Sequence, residues 1–327
     1  MKKRTAFIGA ILSLIPFGQP LLIKTGVVLS GSAVMFSLPE KVYAGDNSYY
    51  FNRAYEKAEK GDHYGAISDY TKEIEINPNN AYAYNNRGYS KHKLKDYYGA
   101  ISDFKIAIEL DPNYVHAHNN LGWSKNELKD YYGAISDLTK AIELDPNYAN
   151  AYNNLGNSKA GLEDYYGAIS DYTKAIEIDP NYAIAYYNSG ISKVELKDYY
   201  GAISDYTKAI ELDPNYAYAY NNRAIAKRKL KDYYGAISDY TKAIELDPNY
   251  VNAYANRGIS KDDLKDYYGA ISDYTKAIEL DPNYANAYAN RGISKEQIRD
   301  MIGACSDWQK ASQLGDQDAA NWVRDQC

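Results

Sequence analysis

Cysteine is nearly absent from this 327-residue sequence: Cys305 and Cys327 are the only two, both near the C-terminus. No CxxC pair occurs, so neither a zinc site nor a disulfide framework can be built from them. One candidate disulfide, Cys305–Cys327, is all they allow in an oxidising compartment, and Cys305 as a small buried apolar residue is the favoured reading. Histidine is as scarce, with His63, His92, His116 and His118. His116 and His118 have no third ligand in the pattern, so they read as packed or hydrogen-bonded side chains and no metal is expected. No P-loop, dinucleotide fingerprint or nucleophile elbow is present. The chain is therefore read as a non-enzyme without cofactors. Long apolar runs are missing too. The two longest, 6–17 and 26–38, fall short of the roughly 20 apolar residues of a spanning helix. Positive charge is not in excess. The net charge is -6, and setting aside the five bases and one acid of the first 44 residues leaves -10. Affinity for nucleic acid draws on Lys and Arg against phosphate, so nucleic acid is not expected as a partner.

Phe occurs 5 times and Trp and Met 3 times each, whereas Tyr occurs 38 times. So narrow a choice of aromatic points to the copying of one motif. The string beginning Asp-Tyr-Tyr-Gly-Ala-Ile-Ser-Asp recurs almost unchanged, and internal repetition decides the fold before any other signal. Beyond residue 44 the prolines are Pro78, Pro112, Pro146, Pro180, Pro214, Pro248 and Pro282, each 34 residues from the next. With this proline at position 32, eight units fill 47–318 without an insertion: 47–80, 81–114, 115–148, 149–182, 183–216, 217–250, 251–284 and 285–318.

Each unit reads as two helices. Helix A spans positions 1 to 14, with Tyr at position 4 (Tyr84, Tyr152; His118 in unit 3) and Gly or Ala at position 8 (Ala54, Gly88). A Lys-Asp turn follows, and its Asp is a good N-cap for helix B. Helix B carries Gly-Ala at 19 and 20, Tyr or Phe at 24 in most units, and Ala at 27 in all but the first. These spacings share one helix face. The small residues let two backbones approach while the aromatics fill the space beside them. The residue before proline avoids helical backbone, so Asp-Pro ends helix B, and proline is expected near the start of the next helix. One such pair cannot bury its apolar face alone, but stacked neighbours can, which gives a solenoid.

The aromatic at 4, Gly at 8, Ala at 20, aromatic at 24, Ala at 27 and Pro at 32, at a period of 34, resemble the tetratricopeptide repeat family. The resemblance implies an all-α fold, a right-handed superhelix of about eight helix-turn-helix units with helix A on the concave side. Position 11, usually aromatic in that family, is Lys throughout (Lys57, Lys91, Lys125), and position 7 is often Arg (Arg53, Arg87, Arg223, Arg257, Arg291). Such stems snorkel along the core with their heads expected on the Asp at 23 and the Glu at 29. The last unit departs from the pattern, with Met301-Ile302 for Tyr-Tyr and Asp316 for the proline. Residues 316–327 read as a capping helix with Trp322 in the place of the position-4 aromatic, as an open solenoid end requires.

Residues 1–44 differ from the rest. Lys2-Lys3-Arg4, an apolar stretch and Val42-Tyr43-Ala44 describe an export signal cleaved after Ala44, with an uncleaved membrane anchor as the alternative. On either reading the array is expected outside the cytoplasm, in a periplasm, an internal lumen or the medium. Contact with a membrane is expected only through this segment.

The eight units act as an internal alignment for binding residues. Position 6 is Asn in every unit: Asn52, Asn86, Asn120, Asn154, Asn188, Asn222, Asn256 and Asn290. Carboxamides both donate and accept, so such a row suits the backbone of an extended peptide. It is similar to the asparagine ladder in the repeats of O-linked N-acetylglucosamine transferase; bonding within the repeat is the alternative. Position 9 varies, with Tyr55, Tyr89, Trp123 and Asn157, then Ile191, Ile225, Ile259 and Ile293. Facing the groove, these would line it with aromatics and then aliphatics, an apolar patch of the kind that marks a contact site. Burial between units is the alternative. The family's clamp for chaperone tails is set aside, because no unit has Lys or Arg at 2, 5, 6 or 9. The expected partner is a protein or extended peptide in the concave groove. The second reading is a structural or assembly factor acting through the convex face, the ends or self-association.

Overall fold

The computed structural model describes residues 48–327, in which seventeen helices and no strand occur. The export segment, 1–44, lies outside the described residues. Helix A of a complete unit is thirteen residues and helix B fourteen, as in Ala149–Gly161 and Tyr165–Ile178 of unit 4. Each helix A packs on its own helix B and each helix B on the next helix A. Successive A helices also touch, so they form a continuous layer along the array.

Local chemistry fixes both ends of helix B. The Asp at 16 caps it, as Asp96 accepts a hydrogen bond from the Gly99 amide at 3.0 Å. The same carboxylate lies so close to Gly99 that a Cβ there would overlap it, which is why glycine holds position 19. The residue before the cap turns left-handed: Lys95, Lys129, Glu163, Lys197, Lys231, Lys265 and Arg299 have φ of 61–68°. Their turn is closed by backbone bonds such as Asp96 N to Lys91 O at 3.0 Å and Lys95 N to His92 O at 2.8 Å, the pattern that ends many helices. The first unit and the C-terminal cap place Gly61 and Gly315 at the equivalent turn.

The proline does not open the next helix. Asp111-Pro112-Asn113-Tyr114 forms a turn closed by Tyr114 N to Asp111 O at 3.1 Å, with Pro112 second in the turn, where its fixed φ belongs. Asp111 also accepts from the Asn113 amide at 3.0 Å. Helix A begins only at Val115.

The core is made by positions 8, 20, 24 and 27. Tyr70, Phe104, Leu138, Tyr172, Tyr206, Tyr240, Tyr274 and Trp308, all at position 24, are at most 2% exposed. They press on position 8, where a Cβ on Gly156 would meet the Tyr172 ring at 2.6 Å. Units 1 and 6 carry Ala54 and Ala224 there, fully buried, so the packing yields enough for one methyl. The tyrosines at position 4 are less deeply placed than those at 24 and remain half-buried. At the C-terminus the helix Gln317–Gln326, capped by Asp316, folds onto Met301–Gln313. Trp322 lies 5.5 Å from Trp308, which seals the last unit. This return brings Cys327 to Cys305, with Cα atoms 5.7 Å apart, and the two form a disulfide rather than a free buried thiol.

Candidate functional site

At 3.6 residues per turn, positions 2, 6, 9 and 13 share one side of helix A, and 4, 7 and 11 share the opposite side. The two sides do different work.

The 4-7-11 side is cationic in sequence and neutralised in structure. The position-11 lysines pair with the Asp at 23 in all eight units, from Lys57–Asp69 at 2.8 Å to Lys295–Asp307 at 2.8 Å. Where position 7 is Arg, its guanidinium forks onto the same carboxylate: Arg87 reaches Asp103 at 2.9 and 2.8 Å. The Arg53 guanidinium holds the Asp69 carboxyl down at about 2, against the opposing effect of burial. The Glu at 29 takes no part. It pairs instead with the Lys at 26 one turn away, as in Lys174–Glu177 at 3.0 Å, which corrects the expectation that it would meet the snorkelling heads.

The asparagines of the other side are joined to one another. The Nδ2 of position 6 donates to position 5 of the preceding unit: Asn120 to Asn85 at 3.1 Å, Asn154 to Asn119 at 2.9 Å and Asn188 to Asn153 at 3.1 Å. Asn222 donates to the Tyr187 hydroxyl at 3.0 Å, and Asn256 lies 3.5 Å from Asn221. Asn86 accepts from Asn85 at 3.1 Å within its own unit. Asn86, Asn120 and Asn222 are buried, while Asn52, Asn154, Asn188, Asn256 and Asn290 are half-buried. Position 5 of unit 7 is Ala255, so Asn290 meets no such acceptor in the unit before it. The row is thus largely a ladder between units.

A second ladder runs beside it and was not read from the sequence. Position 12 of one unit meets the buried Ser at position 10 of the next: His92 to Ser124 at 2.8 Å, Asn126 to Ser158 at 2.7 Å and Asp262 to Ser294 at 2.8 Å. The signal was available, since Ser holds position 10 in six units while position 12 changes. Burial drives His92 down to about 3. It drives Asp262 up to about 6, although hydrogen bonds from Tyr274 and Ser294 oppose the shift.

Position 9 keeps one surface in solvent. Tyr55, Tyr89, Trp123, Asn157, Ile191, Ile225, Ile259 and Ile293 are all half-buried. Tyr89 and Trp123 lie 6.3 Å apart, His92 stacks 3.5 Å from Trp123, and Lys93 Nζ stands 5.2 Å from the centres of both the Tyr89 and Trp123 rings. Asn157 is drawn into the scaffold, accepting from Tyr172 at 2.8 Å and Asn188 at 3.1 Å. Position 2 packs edge-to-face against the tyrosine that ends the unit, as Tyr82 with Tyr114 at 4.9 Å and His116 with Tyr148 at 5.1 Å. His118 gives its Nε2 hydrogen to the Pro112 carbonyl at 3.0 Å. No group of three or more His, Cys, Asp or Glu able to hold a metal ion occurs among the described residues. Nor is any of their helices long and apolar enough to cross a membrane.

With two helices per 34 residues, capped and stacked in this way, the chain belongs to the tetratricopeptide repeat family. The family model described as "Tetratricopeptide repeat" matches 81–114, 149–182, 183–216, 217–250 and 251–284, and related repeat models match 125–162 and 48–80. No curated protein matches the chain. Among solved structures, YrrB, described as a tetratricopeptide repeat protein with an unusual peptide-binding site, is 26% identical. That likeness covers 57% of this chain and 97% of YrrB, with a TM-score of 0.50. The Cut9–Hcn1 hetero-tetramer is 19% identical over 80% of this chain and 52% of that one, TM-score 0.60. PilF of Pseudomonas aeruginosa is 20% identical over 65% and 97%, TM-score 0.57. These last two show the shared fold. Repeat arrays of this family are generally scaffolds for protein interaction, and this chain is an array of that kind.

Proposed function

We propose that the 2-6-9-13 side of helix A is a groove that holds an extended segment of a partner protein, and that the chain is a non-catalytic, exported scaffold. The observation that carries this reading is the row of half-exposed side chains at position 9, from Tyr55 to Ile293 and apolar in every unit but the fourth, laid along a continuous layer of A helices. An apolar strip of this kind favours a ligand that presents side chains at regular intervals. The peptide-binding site of YrrB lends support. The asparagine ladder gives the strip a fixed spacing, and ligand contact at position 6 falls to amides that the ladder leaves lightly engaged, Asn256 and Asn290. The bridge between Cys305 and Cys327 suits an exported protein, since disulfides persist in oxidising compartments.

A second reading has its own observation. Tyr64, Tyr98, Tyr132, Tyr166, Tyr200, Tyr234 and Tyr268, all at position 18, are 74–77% exposed on helix B. Seven rings at one period suit assembly through the outer surface. Selecting ligands from a displayed peptide library on the full chain, with light scattering of the chain alone, separates the two. Selected peptides sharing an apolar pattern support the groove, whereas no selection together with concentration-dependent mass supports assembly.

A further inference from the structure

The eight units share one device on the 4-7-11 side, and the middle of the array lacks a part of it. In units 2, 6, 7 and 8 an arginine at position 7 forks onto the Asp at 23 and reaches the Thr at 25 of the preceding unit. Arg223, for example, binds Asp239 at 2.9 and 2.7 Å and Thr207 at 3.0 Å. The guanidinium also stands 5.4–5.7 Å from the position-4 ring in these units, a cation–π distance. Units 3 and 4 have Leu121 and Leu155 instead. Both leucines turn into the core against the preceding helix B, and no described residue replaces the fork.

The carboxylates that would receive it are still there. Asp137 and Asp171 each hold one lysine through Oδ2, Lys125 at 2.6 Å and Lys159 at 2.7 Å, and their Oδ1 atoms accept from no described residue. Their side chains are 18% and 12% exposed, against 2–7% where the arginine is present, so solvent reaches the position that the fork vacates. Burial raises the carboxyls of both above their ordinary range, whereas Asp69, gripped by Arg53, is lowered to about 2. In unit 3 a cleft of about 490 Å³ opens between His118, Ser136, Asp137, Thr139, Lys140 and Glu143; its counterpart in unit 7, with Tyr254 and Arg257 in place, is about 390 Å³. His118 is 8% exposed and lines this cleft. Its Nε2 hydrogen is committed to the Pro112 carbonyl, so Nδ1 is a buried acceptor, and it has no partner. In unit 4 the position-4 ring is Tyr152 and the preceding residue at 25 is Thr139, so only the guanidinium of the template is lacking. Units 3 and 4 each present an acceptor in want of a donor.

We propose that the cleft of unit 3 and the vacated fork position of unit 4 receive arginine side chains of a partner polypeptide, with Asp137 and Asp171 taking the guanidinium as Asp103 and Asp239 take Arg87 and Arg223. The fork geometry favours arginine over lysine, whose ammonium cannot bridge two carboxylate oxygens in one plane. Neighbouring units stack at about 8–10 Å. Two arginines three residues apart on an extended chain span about 10 Å. This side lies opposite the apolar strip of helix A, so the site is independent of what the groove holds.

The test is calorimetry on the full chain at low salt with the peptide acetyl-Arg-Ala-Ala-Arg-amide, its lysine and citrulline analogues, and acetyl-arginine amide. The arginine peptide is expected to bind about tenfold more tightly than each of the other three, the worth of one hydrogen bond to a charged group. Leu155→Arg combined with Leu121→Arg fills both vacated fork positions from within and is expected to abolish that preference. Arg87→Leu opens a new cleft over Asp103 and is expected to add a binding equivalent. Equal affinity for arginine and lysine peptides would mean attraction to net charge alone and would overturn the proposal. So would a preference that survives the filled fork positions with helicity intact. A single arginine amide as tight as the peptide would overturn the polypeptide as the source. The comparison of peptides on the unaltered chain stands even where a variant fails to fold.

Discussion

The left-handed residue at position 15 shows how strongly the turn constrains a single side chain. Lys129 adopts φ 62° with a Cβ, a conformation that glycine enters freely. Unit 1 has Gly61 at this position, so the backbone tolerates glycine. Lys129→Gly is therefore expected to raise stability by about 1 kcal/mol, read as a higher Tm. Asp262 makes the opposite kind of demand. Its folded pKa, raised to about 6, means that the folded chain holds a proton which the unfolded chain releases near 4. Stability from this group is then fully present below about pH 4 and is lost as pH rises to about 6. Groups acting on it include Tyr274, Ser294, Asp263 and Asp266. Asp262→Asn should flatten this slope, and the difference in Tm between pH 4.5 and pH 7, compared with the unaltered chain, measures it. At this scale the sequence was informative where charges recur in register. Lys at 11 and Asp at 23 repeat together and do pair. Glu at 29 repeats in seven of the eight units, but in units 3 to 7 the Lys at 26 is one turn away on the same helix and takes it first.

Within and between helices, the boundaries were legible because each is written in a side chain with a local task. Asp at 16 caps, Gly at 19 makes room for the cap, and the residue before proline ends helix B. Proline itself was placed one turn too far along, since Asp-Pro-Asn-Tyr closes a turn of its own before helix A starts. The asparagine row was visible, but its partners were not. An amide at position 6 faces position 5 of the preceding unit, 35 residues back, and only the stacking geometry reveals that. The consequence is measurable. Asn154→Ala removes the donor to Asn119, a side chain 5% exposed, and leaves its carbonyl buried. A loss of about 1–2 kcal/mol follows, concentrated at the junction of units 3 and 4. Hydrogen exchange should show faster opening of the helices on both sides of that junction than of units 7 and 8.

The whole array was the easiest feature to read and its ligand the hardest. Repetition at 34 residues specifies helix pairs, their caps and their stacking, because every unit must bury the same face against a copy of itself. Binding residues are those that the stacking leaves unspent, and that remainder appears only when partners are counted in three dimensions. By that count the apolar strip at position 9 is the surface we propose for a partner segment, and most of the asparagines are spent on stacking. The most direct measurement is the affinity of a library-selected peptide for two variants of the full chain with unchanged helicity. One carries Trp123→Ser and Ile259→Ser on helix A, and the other Tyr132→Ser and Tyr268→Ser on helix B. The account predicts a loss of at least about tenfold for the first and less than twofold for the second, since an apolar side chain in a contact is worth about 1.5–3 kcal/mol. Undiminished affinity in the first with a clear loss in the second would contradict it and move the binding surface to the outer tyrosines.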